Sequence, residues 1–164
     1  MRTPLSRTTK TAAIASAFAA TALTFAVTAT PAMAWTAGDF TATLNGTMTI
    51  DAGIPATCTG STLSGTIAED GTLSVTSASV SGCGVDVTPE NLPWSGSLAG
   101  GVATLSGFSM SAIGCTFGGS ITGAYTGTDL PITATFTEQT VNKTSGVLCP
   151  SSATLTATYD FAAA

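Results

Sequence analysis

The sequence predicts an all-β domain, an antiparallel β-sandwich or small β-barrel of about 8–10 strands. Apolar and hydroxyl residues alternate with a period of two over long stretches, and no segment of residues 35–164 carries a convincing helical repeat. Gly, Asp and Pro signals punctuate the alternating runs at short intervals, as antiparallel connections require.

The first run spans Phe40 to Ile50. Phe40, Ala42, Leu44, Gly46, Met48 and Ile50 alternate with Thr41, Thr43, Asn45, Thr47 and Thr49, which predicts one half-buried strand. Runs around 61–67 and 72–80 follow, joined by Glu69-Asp70-Gly71-Thr72, a hairpin signal because Asp-Gly tolerates positive φ. Further runs lie around 101–105, 107–113 and 117–125. The last two strands are the clearest: Ile132, Ala134 and Phe136 alternate with threonines, and Ala153, Leu155, Ala157, Tyr159 and Phe161 with Thr154, Thr156, Thr158 and Asp160.

Residues 1–34 read as a secretory signal peptide. Arg2, Arg7 and Lys10 form a positive start, an Ala/Thr/Phe-rich stretch follows, and Ala32-Met33-Ala34 supplies a small-residue cleavage pattern. With no adjacent Arg pair the route is of the Sec type. Residues 35–164 then form a single β-domain, large enough to bury roughly two-thirds of its unfolded surface. No cysteine stands at the cleavage site for a lipid anchor, and Leu92-Pro93-Trp94-Ser95-Gly96 departs from a sortase signal and lies mid-chain.

Composition narrows the chemistry. The chain has no His, so Ser-His-Asp and Cys-His machinery and His-ligated zinc are excluded. Only 8% of residues are charged, and from residue 35 onward Lys143 stands alone against nine carboxylates, which excludes a nucleic-acid footprint. Those carboxylates are Asp39, Asp51, Glu69, Asp70, Asp86, Glu90, Asp129, Glu138 and Asp160, mostly at turns or strand ends. A carboxylate-based hydrolase would need two of them facing each other across a cleft, one with a raised pKa. Gly119-Ser120-Ile121-Thr122-Gly123 and Lys143-Thr144-Ser145-Gly146 match serine-enzyme motifs only superficially, and no calcium loop of the DxDxDG type occurs. Neither a cofactor nor a metal is expected.

A weak internal repeat pairs every Trp and every Cys. Trp35, Ala42-Thr43-Leu44, Cys58 and Cys83 correspond in order to Trp94, Ala103-Thr104-Leu105, Cys115 and Cys149, giving repeat halves 35–93 and 94–164. Four cysteines in an exported chain read as two disulfides. Three pairings are open, and duplication favours Cys58–Cys83 and Cys115–Cys149, each worth roughly 3–4 kcal/mol by loop closure. Most aromatic residues fall in phase with apolar strand positions. Trp94 stands apart, in a loop or strand start at Pro93-Trp94-Ser95-Gly96, and is the candidate ligand contact, a plug at the end of the core being the alternative.

With its Ala-rich leader, Cys58-Thr59-Gly60-Ser61 segment, Leu92-Pro93-Trp94 and final Tyr159-Asp160-Phe161 strand, the chain resembles small secreted or cell-envelope β-proteins of high-GC Gram-positive bacteria (actinobacteria), a largely uncharacterised group. That resemblance implies an envelope or extracellular β-protein rather than a reaction. In composition the chain is also similar to the enediyne-carrier apoproteins, whose disulfides close much shorter loops than the separations of 25 and 34 here.

The leading expectation is a non-enzymatic, secreted or envelope-associated β-sandwich acting by binding or assembly, with an unknown extracellular or envelope partner. One alternative is a carrier holding a small apolar ligand in a cleft between sheets. Another is a protomer of an oligomeric pore in a mycolic-acid outer membrane, without a transmembrane helix.

Overall fold

The structure, a computed structural model, describes residues 34–164; the signal-peptide reading lies outside them but for Ala34. The described chain is all-β. Its strands are β1 (Gly38–Leu44), β2 (Met48–Asp51), β3 (Pro55–Cys58), β4 (Gly60–Ile67), β5 (Thr72–Ser81), β6 (Val87–Pro89), β7 (Trp94–Ala99), β8 (Val102–Ala112), β9 (Cys115–Tyr125), β10 (Ile132–Ser145) and β11 (Ser152–Ala163).

Eight of them close a barrel. In the order β1-β4-β5-β7-β8-β9-β10-β11 each strand pairs antiparallel with the next, and β1 returns to β11 from Phe40↔Ala163 to Leu44↔Tyr159. The order around the barrel is therefore the chain order, an up-and-down meander with two excursions. The β2–β3 hairpin pairs through β2 with β11, and β6 pairs with β8. Residues from both predicted repeat halves build this one barrel, so its closure depends on pairing the first strand with the last.

The alternation seen in the sequence decides what faces inward. Along β11, Ala153, Leu155, Ala157, Tyr159 and Phe161 are buried while Thr154 and Asp160 are exposed. Inward residues from the other strands join them in one cluster that includes Phe40, Leu63, Val75, Leu98, Leu105, Ile121 and Phe136. An eight-stranded barrel is just wide enough for side chains to fill its interior. Each fully buried Phe or Leu contributes roughly 1.5–3 kcal/mol. A single-chain membrane barrel shows lipid an apolar outer face; here the apolar face is inside and threonines and serines face out.

Two expectations need correction. The predicted strand over 40–50 is two strands, because Gly46 adopts φ 85° and the chain turns at Asn45-Gly46. The predicted strands 101–105 and 107–113 fuse into β8, with Gly107 at φ 75° inside a register shift of the β8–β9 ladder. Trp94 takes the strand-start position and packs into the core. It begins β7 at 1% exposure, its indole N–H donates to the Glu90 carbonyl at 2.8 Å, and its ring packs against Phe108 with centroids 4.9 Å apart.

The Glu69-Asp70-Gly71-Thr72 turn does join β4 to β5. Gly71 takes φ 82°, and the Asp70 carboxylate accepts from the Thr72 amide at 2.9 Å.

Candidate functional site: an apolar cup at one end of the barrel

The meander sends the β2–β3, β5–β6, β8–β9 and β10–β11 connections to the same end of the barrel. There they surround an open cup of about 360 Å³. Its floor is formed by Phe108, Met110 and Phe117 from the β8–β9 pair, with Val141, Ala153 and Leu155 from the β10–β11 pair. Ile50 and Ala56 of the β2–β3 hairpin form one wall, and Val85 and Val87 belong to the segment around β6. Every lining residue is apolar, so the cup offers a ligand dispersion contacts and no charged or hydroxyl side chain. The cleft is thus not between two sheets, as a sandwich carrier would have it, but at the mouth of a filled barrel.

Its rim is apolar too. Ile54, Ile113, Val147 and Leu148 are 79–100% exposed, on a surface otherwise dominated by threonine and serine. Two of them occupy backbone conformations that ordinary turns give to Gly or Asn. Ile113 and Gly114 form the two-residue β8–β9 turn with φ 51° and 75°, and Leu148 has φ 63°. Positive φ at both positions selects Asn-Gly or Gly-Gly in such hairpins. A β-branched residue there costs of order 1–3 kcal/mol, and such strain gathers at functional sites.

Both disulfides brace this end. Cys58, the last residue of β3, is joined to Cys83 in the β5–β6 connection, and Cys115, the first of β9, to Cys149 in the β10–β11 loop. Each bridge brackets one hairpin, β4–β5 or β9–β10, and ties a rim segment to the barrel. Cys115 also lines the cup. Trp94 lies outside the lining, touching the site only through the floor residue Phe108.

Four of the carboxylates, Asp51, Asp70, Asp129 and Asp160, act as hydrogen-bond acceptors in strands and turns. Asp160 on β11 accepts from Asn45 at 2.8 Å and Thr133 at 2.7 Å, linking three segments. Asp129 accepts from the Thr36 amide at 3.1 Å, from the Thr36 hydroxyl, and from the Leu130 amide at 2.9 Å. The Thr36 hydroxyl, followed by these amides, holds the Asp129 carboxyl below its ordinary value. Hydrogen bonds from Thr72 do the same for Asp70. Lowered values suit permanent charge rather than the proton-donating acid of a hydrolase.

The model of the family described as alkane oxidation protein activator PraA/PraB-like matches residues 1–163. The chain belongs to that family. No curated protein and no solved structure matches it. The family's description is of an activator rather than of an oxidising enzyme, which agrees with an accessory role. In this PraA/PraB-like chain the residues that sequence reasoning passed over are the rim. Ile113-Gly114 and Val147-Leu148 interrupt polar connections with large apolar side chains, and that misplacement is the signal by which they could have been found.

Proposed function

We propose that the protein is a non-catalytic, exported binding protein that takes the alkyl chain of a hydrocarbon into the cup, and that it assists alkane oxidation in this way. The observation that carries the reading is the placement of Ile113 and Leu148. Both are large, apolar and at least 79% exposed, and both are held at positive φ. A turn optimised for stability would place Asn or Gly there, so the apolar side chains have a use at the mouth. Membership of an alkane oxidation activator family supplies the class of ligand.

The energetics fit a neutral chain. Burial releases about 0.8 kcal/mol per methylene, and the cup asks for no head group. Two disulfides suit an oxidising compartment outside the cytoplasm, in keeping with the leader read from residues 1–34.

The test is hydrocarbon retention. Purified protein is equilibrated with n-dodecane, freed of excess by gel filtration and extracted for gas chromatography. The expected result is about one alkane per chain, lost in the Ile113→Asp and Leu148→Asp variants while the thermal transition stays in place. Retention no greater than that of an unrelated soluble protein, or undiminished in both variants, would overturn the reading.

A further inference from the structure

The end of the barrel opposite the cup has a different chemistry. The β4–β5 turn, the β7–β8 turn and the β9–β10 connection meet there around a cavity of about 400 Å³, within the range of small-molecule sites. Trp35 and Tyr125 form its aromatic wall, with ring centroids 5.7 Å apart and planes tilted by 60°. Gly100, Gly101 and Gly127 leave much of the remaining lining without side chains, and Asp70 and Thr128 stand beside it. Backbone bonds fix the frame: Trp35 N donates to Glu69 O at 2.9 Å, Leu98 N to Gly71 O at 2.8 Å and Tyr125 N to Gly101 O at 2.9 Å.

The polar tips of the aromatic wall are unused. Trp35 is 6% and Tyr125 8% exposed, yet neither the indole N–H nor the phenol hydroxyl has a hydrogen-bond partner among the described residues. Neither atom is sealed from open space, since no fully enclosed side-chain nitrogen or oxygen lacks a partner. The indole approaches the backbone at Gly71, where a Cβ would come within 2.8 Å of Nε1, so its position is constrained. Buried Trp and Tyr usually find partners for these groups. Here both groups keep a side open to a partner from outside the chain, and both residues line the cavity.

We propose that this cavity is a second binding site, for a neutral polyhydroxylated molecule of the size of one or two sugar rings. An indole N–H only donates, a carboxylate only accepts and a phenol does both. A compact set of hydroxyls on a carbon ring answers all three while its C–H face rests on the aromatic wall. A hydrocarbon would leave the tips unpaired, at a cost of roughly 1–3 kcal/mol each. An anion would meet Asp70 with no cation in the lining. The site is independent of the cup, so either can fail without the other.

The test uses the two indole N–H signals of ¹⁵N-labelled protein, assigned with Trp35→Phe. Glucose, galactose, mannose and maltose are titrated, with glycerol as the solvent control. At least one sugar is expected to shift the Trp35 signal along a saturable curve, with a Kd of about 1 mM or tighter, while Trp94 stays still. Tyr125→Phe and Asp70→Asn should each weaken that binding at least about threefold, with the Trp94 signal reporting an intact core. The proposal is overturned if no sugar shifts Trp35 saturably, if glycerol produces the same curve, or if both variants bind like the parent.

Discussion

The Tyr159 hydroxyl lies 2.7 Å from Ser61 Oγ inside the barrel, and Ser61 Oγ donates onward to the Ser79 carbonyl at 2.9 Å. The direction of the chain follows: Tyr159 donates to Ser61, and Ser61 to the backbone of β5. A short polar relay thus ties β11, β4 and β5 together across an otherwise apolar interior. Ser61 and Ser109 are the buried polar residues among those described, so Ser61 is an uncommon core residue with a partner that explains it.

This relay predicts an alkaline limit. Burial pushes the Tyr159 hydroxyl above its ordinary value of 10.0, and the Ser61 bond only partly opposes the shift. Below pH 10 both folded and unfolded chains keep the proton and the contribution is complete. Above it the unfolded chain ionises first, so stability falls as pH rises through the folded-state value. Urea midpoints measured from pH 9 upward should drop, and Tyr159→Phe should flatten the drop while costing about 1 kcal/mol at pH 7.

The acid side has the opposite sign. Asp129 and Asp70 have folded-state values below 3.8, set chiefly by the hydrogen bonds from Thr36 and Thr72. Their contributions are complete above 3.8 and are lost as pH falls through the depressed values, because the unfolded chain takes up protons first. Asp129→Asn should make the stability curve shallower on that limb. It should also speed amide exchange at Thr36, whose N–H it holds.

Gln139 stands in for a missing strand partner. The β9–β10 ladder breaks between Thr135 and Asn142, and in the gap Gln139 Oε1 accepts from the Thr122 amide at 2.7 Å while its Nε2 donates to the Thr137 carbonyl at 2.8 Å. Gln139→Ala should cost about 1–2 kcal/mol, and Gln139→Glu should cost less, since a carboxylate still accepts from Thr122. Chemical denaturation of the two variants checks the order.

The disulfides act on both stability and the site. Loops with separations of 25 and 34 residues give roughly 3–4 kcal/mol each by chain entropy. Replacing both Cys115 and Cys149 by Ser should lower the thermal midpoint. It should also weaken hydrocarbon retention more than an equally destabilising core change such as Ile121→Ala, because the bridge fixes the loop that carries Val147 and Leu148.

Strand identity was legible where alternation was unbroken. The inward set Ala153, Leu155, Ala157, Tyr159 and Phe161 could be read directly, and so could the turn at Asp70-Gly71. Barrel closure could not, because the pairing of Phe40 with Ala163 joins the two ends of the domain and leaves no local trace. Short β3 and β6 were passed over for want of enough residues to show a period. At Trp94 loop and strand start could not be told apart, because Pro93 resembles loop punctuation and the packing that buries the indole comes from Phe108 on another strand. The cup was illegible as a unit: its residues come from several separated segments and meet only because the meander returns four connections to one end.

The proposed role requires the cup to bind a neutral alkyl chain. Headspace partitioning of n-alkanes from hexane to dodecane over the purified protein tests it most directly. Saturable uptake at about one molecule per chain is expected, with Kd falling about fourfold per added methylene until the cup is full, as about 0.8 kcal/mol per methylene requires. Unsaturable uptake, or a Kd that does not change with chain length, would contradict it.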